Sequence, residues 1–280
     1  MDTAATEHGG AARTYLFVPG DRPERFAKAL ASGADAVVLD LEDAVAPAAK
    51  DAARAAVAQA LATQDLGRLV VRINSAETRW FADDLMLLAA HAAVVMLPKA
   101  ERGETVAAVR AANANASVLA LIESARGVVA AESLAQMPGV ARLVFGTLDY
   151  ALDLDLEVTA SPYGQSGLDA AASRIATASR AAGLPAPVAG VTTALDDEAA
   201  LLGDWARARA HGFGAKLCIH PKQVAPIHAA LMPSADELAW AARVLAAADA
   251  AAGATVQLDG RMVDKPVIER ARRLQQRAAR

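Results

Sequence analysis

Short runs of apolar, largely β-branched residues alternate with longer alanine-rich stretches of helical periodicity along the 280-residue chain. The runs lie at 14–19, 36–41, 69–74, 93–98, 117–122, 142–146, 187–191 and 215–220. Most are continuously apolar rather than alternating, as parallel strands covered on both faces require. Helical patterns fill the intervals, for example 25–32, 50–62, 80–90 and 104–114. Eight repeats of strand then helix predict an α/β fold, a closed (β/α)8 barrel, over an open doubly wound sheet. An open sheet normally has fewer strands and often a G-x-G-x-x-G turn, which this chain does not contain.

After His220 the pattern changes. A helical stretch (234–252) is followed by a break at Gly253, a short polar strand-like run (255–260) and a basic helix from Lys265. A closed barrel needs none of these. The expected organisation is a flexible N-terminus (1–12), a barrel (13–232) and a C-terminal extension (233–280) that caps the barrel or packs on a neighbouring subunit.

Composition adds exclusions. Hydrophobic residues make up 54% of the chain, enough for a large core. Alanine is about a quarter of it and aromatics only 4%, in keeping with many closely packed helices. With 28 basic and 32 acidic residues the net charge is −4, which argues against nucleic acid as a partner. No apolar run reaches the roughly 18 residues that span a bilayer. The first twelve residues do not read as a signal peptide, and the single cysteine, Cys218, excludes an intramolecular disulfide. A cytoplasmic protein is expected.

Barrel chemistry sits at the C-terminal ends of the strands, so polar residues there carry most weight. The first strand runs into Pro19-Gly20-Asp21-Arg22-Pro23-Glu24-Arg25. Asp21 and Glu24 read as a capping box with Pro23 in the first turn, leaving Arg22 and Arg25 free to meet an anion. The second ends in Asp40-Leu41-Glu42-Asp43, acids that repel one another unless a cation or donors compensate. Arg72 ends the third within an apolar run and must have a partner; the same reasoning applies to Lys99 after the fourth. Glu123 follows the fifth strand and Asp149 the sixth. Adjacent strands lie about 4.8 Å apart, so these two carboxylates converge above the barrel and suit Mg2+, which keeps several waters. No histidine or cysteine spacing suits zinc; His220 reads as a structural histidine and Cys218 as core.

These strand ends carry a family likeness. Residues 14–26 (TYLFVPGDRPERF) followed by Asp40-Leu41-Glu42-Asp43-Ala44-Val45 resemble the opening of citrate lyase beta-subunit-like proteins of the HpcH/HpaI aldolase and citrate lyase family. Val71-Arg72-Ile73-Asn74, Leu97-Pro98-Lys99, Ile122-Glu123, Phe145-Gly146 with Asp149, and Ile219-His220-Pro221 follow in family order. The resemblance implies a Mg2+-dependent lyase of acyl-CoA thioesters (Mn2+ an alternative metal), assembled as a homotrimer or hexamer. It assigns Glu123 and Asp149 as metal ligands and Arg72 as a catalytic cation. Gly260-Arg261-Met262-Val263-Asp264-Lys265-Pro266 resembles the C-terminal motif of malyl- and citramalyl-CoA lyases, whose aspartate, here Asp264, enters the next subunit's site.

The expected reaction is retro-Claisen cleavage of a 3-hydroxy-3-carboxyacyl-CoA to acetyl-CoA and a 2-oxo acid. In that reading Arg72 stabilises negative oxygen, Asp264 protonates the enolate, Glu42 and Asp43 hold metal-bound water, and Arg22, Arg25 and Lys99 meet substrate or CoA. The C-terminal arginines (Arg270, Arg272, Arg273, Arg277, Arg280) read as a solvated helix face. Alternatives are a malyl-CoA thioesterase, a citrate lyase beta subunit acting on a carrier-bound citryl thioester, and a non-catalytic barrel.

Overall fold

The computed structural model describes residues 12–63, 66–91, 94–157, 166–251 and 255–278. Eight parallel strands close in sequence order: β1 (Thr14–Pro19), β2 (Ala36–Asp40), β3 (Leu69–Arg72), β4 (Val94–Leu97), β5 (Ser117–Ile122), β6 (Val140–Phe145), β7 (Val188–Ala189) and β8 (Ala215–Cys218), with β8 pairing back onto β1. This is the TIM-barrel fold expected from the pattern. The helices of its outer ring are α1 (Phe26–Leu30), α2 (Lys50–Thr63), α3 (Phe81–Ala90), α4 (Gly103–Ala112), α5 (Ala125–Ala135), α6 (Thr147–Asp153), α7 (Ser166–Ala181) and α8 (Glu198–Ala210), followed by α9 (Val224–Leu231). Among the described residues no helix is long and apolar enough to cross a membrane.

The apolar runs extend past the strands they contain. Asn74 and His220, for example, lie beyond the ends of β3 and β8, because side chains rather than ladder bonds take up the backbone there. Ile219 N–H donates to Gln223 Oε1, and His220 Nδ1 accepts from Lys222 N–H, the structural role expected of that histidine. Asp21 is a correction. It caps nothing: the short 3-10 turn Pro23–Arg25 has no side-chain cap, and Asp21 Oδ1 is buried without a hydrogen bond. Pro23 does stand in the first turn, where its missing N–H has no role.

Alternation along each strand splits the core in two. Tyr15, Val38, Val70, Met96, Leu119, Leu121, Val144 and Leu217 belong to the cluster that fills the barrel. Their neighbours, such as Val37, Val71 and Leu143, are equally buried, consistent with both faces of the sheet being covered. Arg142 closes the floor. It is 3% exposed, and its guanidinium donates to the carbonyls of Ala12 (2.6 Å) and Ala186 (2.6 Å), just ahead of β1 and β7. Those carbonyls lie where no strand partner reaches them, so a charged side chain satisfies them.

The chain divides into two compact units, the first ending at Ile227 and the second beginning at His228. In the second, α10 (Ala235–Ala250) starts at a capping box made by Ser234 and Glu237 and packs on α11 (Lys265–Ala278) through Val244, Ala248, Ile268 and Leu274. The polar run expected at 255–260 is one arm of a hairpin, β9 (Val256–Leu258) with β10 (Arg261–Val263). Asp259 (φ 50°) and Gly260 (φ 75°) form its two-residue turn, and both need the left-handed region that a type I′ turn uses. Gly253, the expected break, and Arg280 lie outside the described residues, as does most of the expected flexible N-terminus.

Arg142→Met leaves the buried carbonyl of Ala12 and the partly exposed carbonyl of Ala186 without their side-chain donor. The expected loss is about 2–4 kcal/mol, read as a lower urea midpoint for barrel unfolding. An unchanged midpoint would remove Arg142 from the stability of the floor.

Candidate active site

The register places opposite charges side by side. Asp40 is the cross-strand partner of Arg72, and both end their strands at the C-terminal rim. Arg72 clasps Asp40 with two parallel hydrogen bonds, Nε to Oδ1 at 2.7 Å and Nη2 to Oδ2 at 2.6 Å. Its remaining nitrogen, Nη1, lies 3.1 Å from Glu42 Oε2 and 3.5 Å from Asp43 Oδ2. The guanidinium also stacks on Phe17, 4.8 Å from the ring centre. Burial works against the Arg72 charge, but the Asp40 hydrogen bonds and the surrounding acids outweigh it and raise its pKa. Arg72 thus has the partner its sequence position demanded.

Glu123 is 4% exposed at the end of β5. Its Oε1 accepts from the backbone N–H of Lys99 at 2.8 Å. Lys99 itself sits in the left-handed region (φ 45°), an uncommon conformation for lysine. Gly146 completes the cradle: a Cβ there would lie 2.6 Å from Glu123 Cβ and 2.7 Å from its Oε2. Asp149, on the first turn of α6, lies 3.7 Å from Lys99 Nζ through Oδ1. The ammonium and backbone of one lysine therefore tie the two carboxylates together.

The electrostatics are strained. Burial, followed by the charges of Glu123, Asp43 and Asp40, pushes Glu42 up to about 8 although Arg72 opposes it. Burial also pushes Glu123 up to about 7, with Asp149 adding to the rise and the Lys99 hydrogen bond opposing it. Burial lowers Lys99, but Glu123, Asp149, Glu42 and Asp43 together outweigh it and leave the ammonium above its ordinary range. Glu42 Oε2 is close to Arg72 yet receives no well-directed hydrogen bond. An acceptor in that state has capacity left for a cation or a water.

A polar layer behind the rim was not legible in the sequence. Lys50, at the start of α2, is 6% exposed, and its ammonium donates to Leu41 O (2.6 Å), Glu42 O (2.7 Å) and Asn74 Oδ1 (2.6 Å). Asp84 on α3 accepts from Asn74 N–H, Asn74 Nδ2 and Arg54 Nε. Helices α2 and α3 thereby hold the loops after β2 and β3. The only available signal was a lysine and an aspartate at helix positions that otherwise face inward.

The expected residues separate into groups. Arg72, Glu42, Asp43, Glu123, Asp149 and Lys99 form one linked set of contacts and charges. Arg22 and Arg25 stand exposed after β1, Arg25 with Glu24 at 3.9 Å. Asp264 belongs to the second unit, where its Oδ1 accepts from Val267 N–H at 3.4 Å at the start of α11. Next to Lys99, a cleft of about 610 Å³ is lined by Ser75, Glu101, Arg102, Ser124 and Arg126 among others, room for the body of a larger ligand.

The fold is a parallel TIM barrel with acids and fixed cations at its C-terminal rim, and residues 174–280 match the family described as C-C bond lyase of the TIM-barrel fold. Residues 13–221 match HpcH/HpaI aldolase/citrate lyase, and the chain belongs to that family. It is 40% identical over 272 residues to a citrate lyase subunit beta-like protein of Mycobacterium tuberculosis, covering 94% of each chain. It is 34% identical over 267 residues to a (3S)-malyl-CoA thioesterase of Cereibacter sphaeroides, covering 93% of this chain and 92% of that one. The crystal structure of CitE from M. tuberculosis in complex with magnesium, acetoacetate and coenzyme A superposes with a TM-score of 0.87 at 39% identity, covering 96% of this chain and 99% of that one.

Glu42 and Glu123 hold protons more tightly in the folded chain than at their ordinary value of 4.5. Their stabilising contribution is complete below that value and is lost as pH rises through about 7 and about 8. In EDTA, the urea midpoint should fall between about pH 5 and pH 7.5 by the equivalent of at least about 2 kcal/mol, and less in Glu42→Gln. Equal slopes in the two proteins would contradict the assigned burial of Glu42.

Proposed function

We propose that this protein is a Mg2+-dependent lyase that cleaves a 3-hydroxy-3-carboxyacyl-CoA, of malyl-, citramalyl- or citryl-CoA type, into acetyl-CoA and a 2-oxo acid. The observation that carries the proposal is the pairing of buried Glu123 with Asp149 across Lys99, on the same rim as the clasped guanidinium of Arg72, whose charge acts on Glu123. The donor set fits a hard divalent cation. It consists of carboxylate oxygens alone, one of them on a glutamate whose ionised form is penalised by burial and by its neighbour's charge. Among the described residues no group of three histidine, cysteine, aspartate or glutamate side chains is arranged to hold a metal; Glu123 and Asp149 would be the two protein ligands, the rest being water and substrate. When bound, Mg2+ supplies positive charge to the substrate's carboxylate and hydroxyl oxygens.

The chain's own groups account for the remaining requirements. Arg72 cannot swing, because Asp40 and Phe17 fix it, so its charge is preorganised for negative oxygen developing during cleavage. Glu42 and Asp43, beside Nη1, would orient water in the metal's coordination sphere. The hydroxyl would give its proton to water of the site, its oxygen becomes the carbonyl of the 2-oxo acid, and the bond between the α-carbon and the hydroxyl-bearing carbon breaks, leaving its electron pair on acetyl-CoA as an enolate. Asp264 of a neighbouring copy in a homotrimer or hexamer is assigned the proton transfer to that carbon. Lys99 would meet the substrate, while Arg22 and Arg25, on a loop open to solvent, would meet CoA phosphates.

The likeness to a malyl-CoA thioesterase supports a second reading, hydrolysis of the thioester at the same residues. Mass spectrometry of the products from malyl-, citramalyl- and citryl-CoA separates the two. Acetyl-CoA with a 2-oxo acid, lost on adding EDTA, is expected; free CoA with an intact hydroxy diacid would establish the thioesterase. Inactivity on all three esters would overturn both and favour a carrier-bound substrate.

Glu123→Gln is expected to weaken Mg2+ binding at least tenfold by calorimetry. Arg72→Lys should lower kcat about 10²–10³-fold with a much smaller change in KM, because lysine cannot reproduce the two-pronged grip on Asp40. Loss confined to KM would assign Arg72 to substrate binding alone.

A further inference from the structure

A second cavity lies outside the barrel, between its wall and the helices. Strand alternation sends Ala215 and Leu217 into the barrel and Lys216 outward, and Ala189, its cross-strand partner, also faces out. There Lys216, Phe145, Ala189 and Phe213 meet residues of α6, α7 and α8 around a space of about 320 Å³. Helix α6 contributes Thr147, Leu148 and Ala151, and Asp149 does not line this space. Most of the lining is apolar.

Lys216 is the buried charged residue of the lining. It is 2% exposed, and its ammonium donates to Gly190 O at 2.5 Å. Among the described residues, no carboxylate lies within 4.0 Å of it and no second acceptor is present, leaving two of its three N–H groups without a protein partner. The other charged groups lining the space are already engaged. Asp169 binds Arg207 through two hydrogen bonds and His211 through a third, while Asp204, exposed at the edge, accepts from Thr192 Oγ1 at 2.7 Å. Asp204 attracts the ammonium only at a distance, and burial pulls Lys216 down to about 8. A buried cation without a counter-ion beside an apolar cavity is complementary to an anion with an apolar body.

We propose that this cavity is a second binding site, for a small aliphatic monocarboxylate whose carboxylate pairs with Lys216 and whose chain lies against Phe145, Leu148, Leu168, Ala172 and Phe213. A volume of 320 Å³ is about ten water volumes, so the guest has on the order of ten non-hydrogen atoms, as in hexanoate or octanoate. This site is independent of the proposed lyase reaction.

The test is calorimetry and ligand-detected NMR at pH 7 with hexanoate and octanoate, and with hexanol as the uncharged control. Saturable binding of the acids, at least tenfold tighter than hexanol, is expected. Lys216→Met, which keeps the bulk and removes the charge, should weaken acid binding at least tenfold. Ala208→Leu, which fills the cavity from α8 and leaves Lys216 in place, should abolish it. Circular dichroism confirms that each variant is folded, and if Lys216→Met fails that check, Ala208→Leu and the hexanol comparison decide. Glu123→Gln should bind the acids as the wild type does. Absence of saturable binding, equal affinity for hexanol, retention in Ala208→Leu, or loss in Glu123→Gln would each overturn the proposal, the last by placing the guest in the barrel mouth.

Discussion

The pairing of Arg72 with Asp40 is the constraint around which the rim is organised. Both side chains are carried into a nearly dry environment by strands whose other residues are apolar, and neither could stay charged there alone. Parallel register brings them opposite each other, and the planar guanidinium accepts that geometry through two bonds at once. One edge of the arginine is thereby consumed, so its third nitrogen faces Glu42 and Asp43. The acids after β2 tolerate one another because of that remaining charge.

The other half of the rim solves the same problem with lysine. Lys99, in a left-handed conformation between β4 and the next helix, uses its backbone N–H for Glu123 and its ammonium for Asp149. Gly146 makes room for the carboxylate where any side chain would collide. The loops bearing these groups are braced from the helical layer by Lys50, Arg54 and Asp84, whose partners are loop carbonyls and Asn74. A site built this way has little freedom to rearrange, which suits a reaction needing charges in place before the substrate changes.

Much of the candidate site was legible because barrels confine chemistry to strand ends, and polar residues ending apolar runs stand out. Glu123, Asp149, Arg72, Glu42 and Lys99 all announce themselves that way. Lys50 and Asp84 do not, because a charged residue falling on the inward stripe of a helix does not reveal which loop it will meet. Asp21 failed in the opposite sense. Its spacing from Glu24 fits a capping box, yet the chain enters a 3-10 turn there rather than an α-helix, and the aspartate does not reach the N–H groups it would cap.

By itself the sequence determined the alternation of strand and helix, and hence the closed barrel. Continuous apolar runs can only be buried on both faces, and eight of them with intervening helices leave few other arrangements. It also determined which residues end the strands. Tertiary structure decided how those residues share their charges: that Asp40 takes the bidentate side of Arg72, that Glu42 is left with an unfilled acceptor, and that Lys216 faces a cavity instead of the barrel core. Hydrogen-bond direction and desolvation depend on atoms distant in the chain, and no local pattern encodes them.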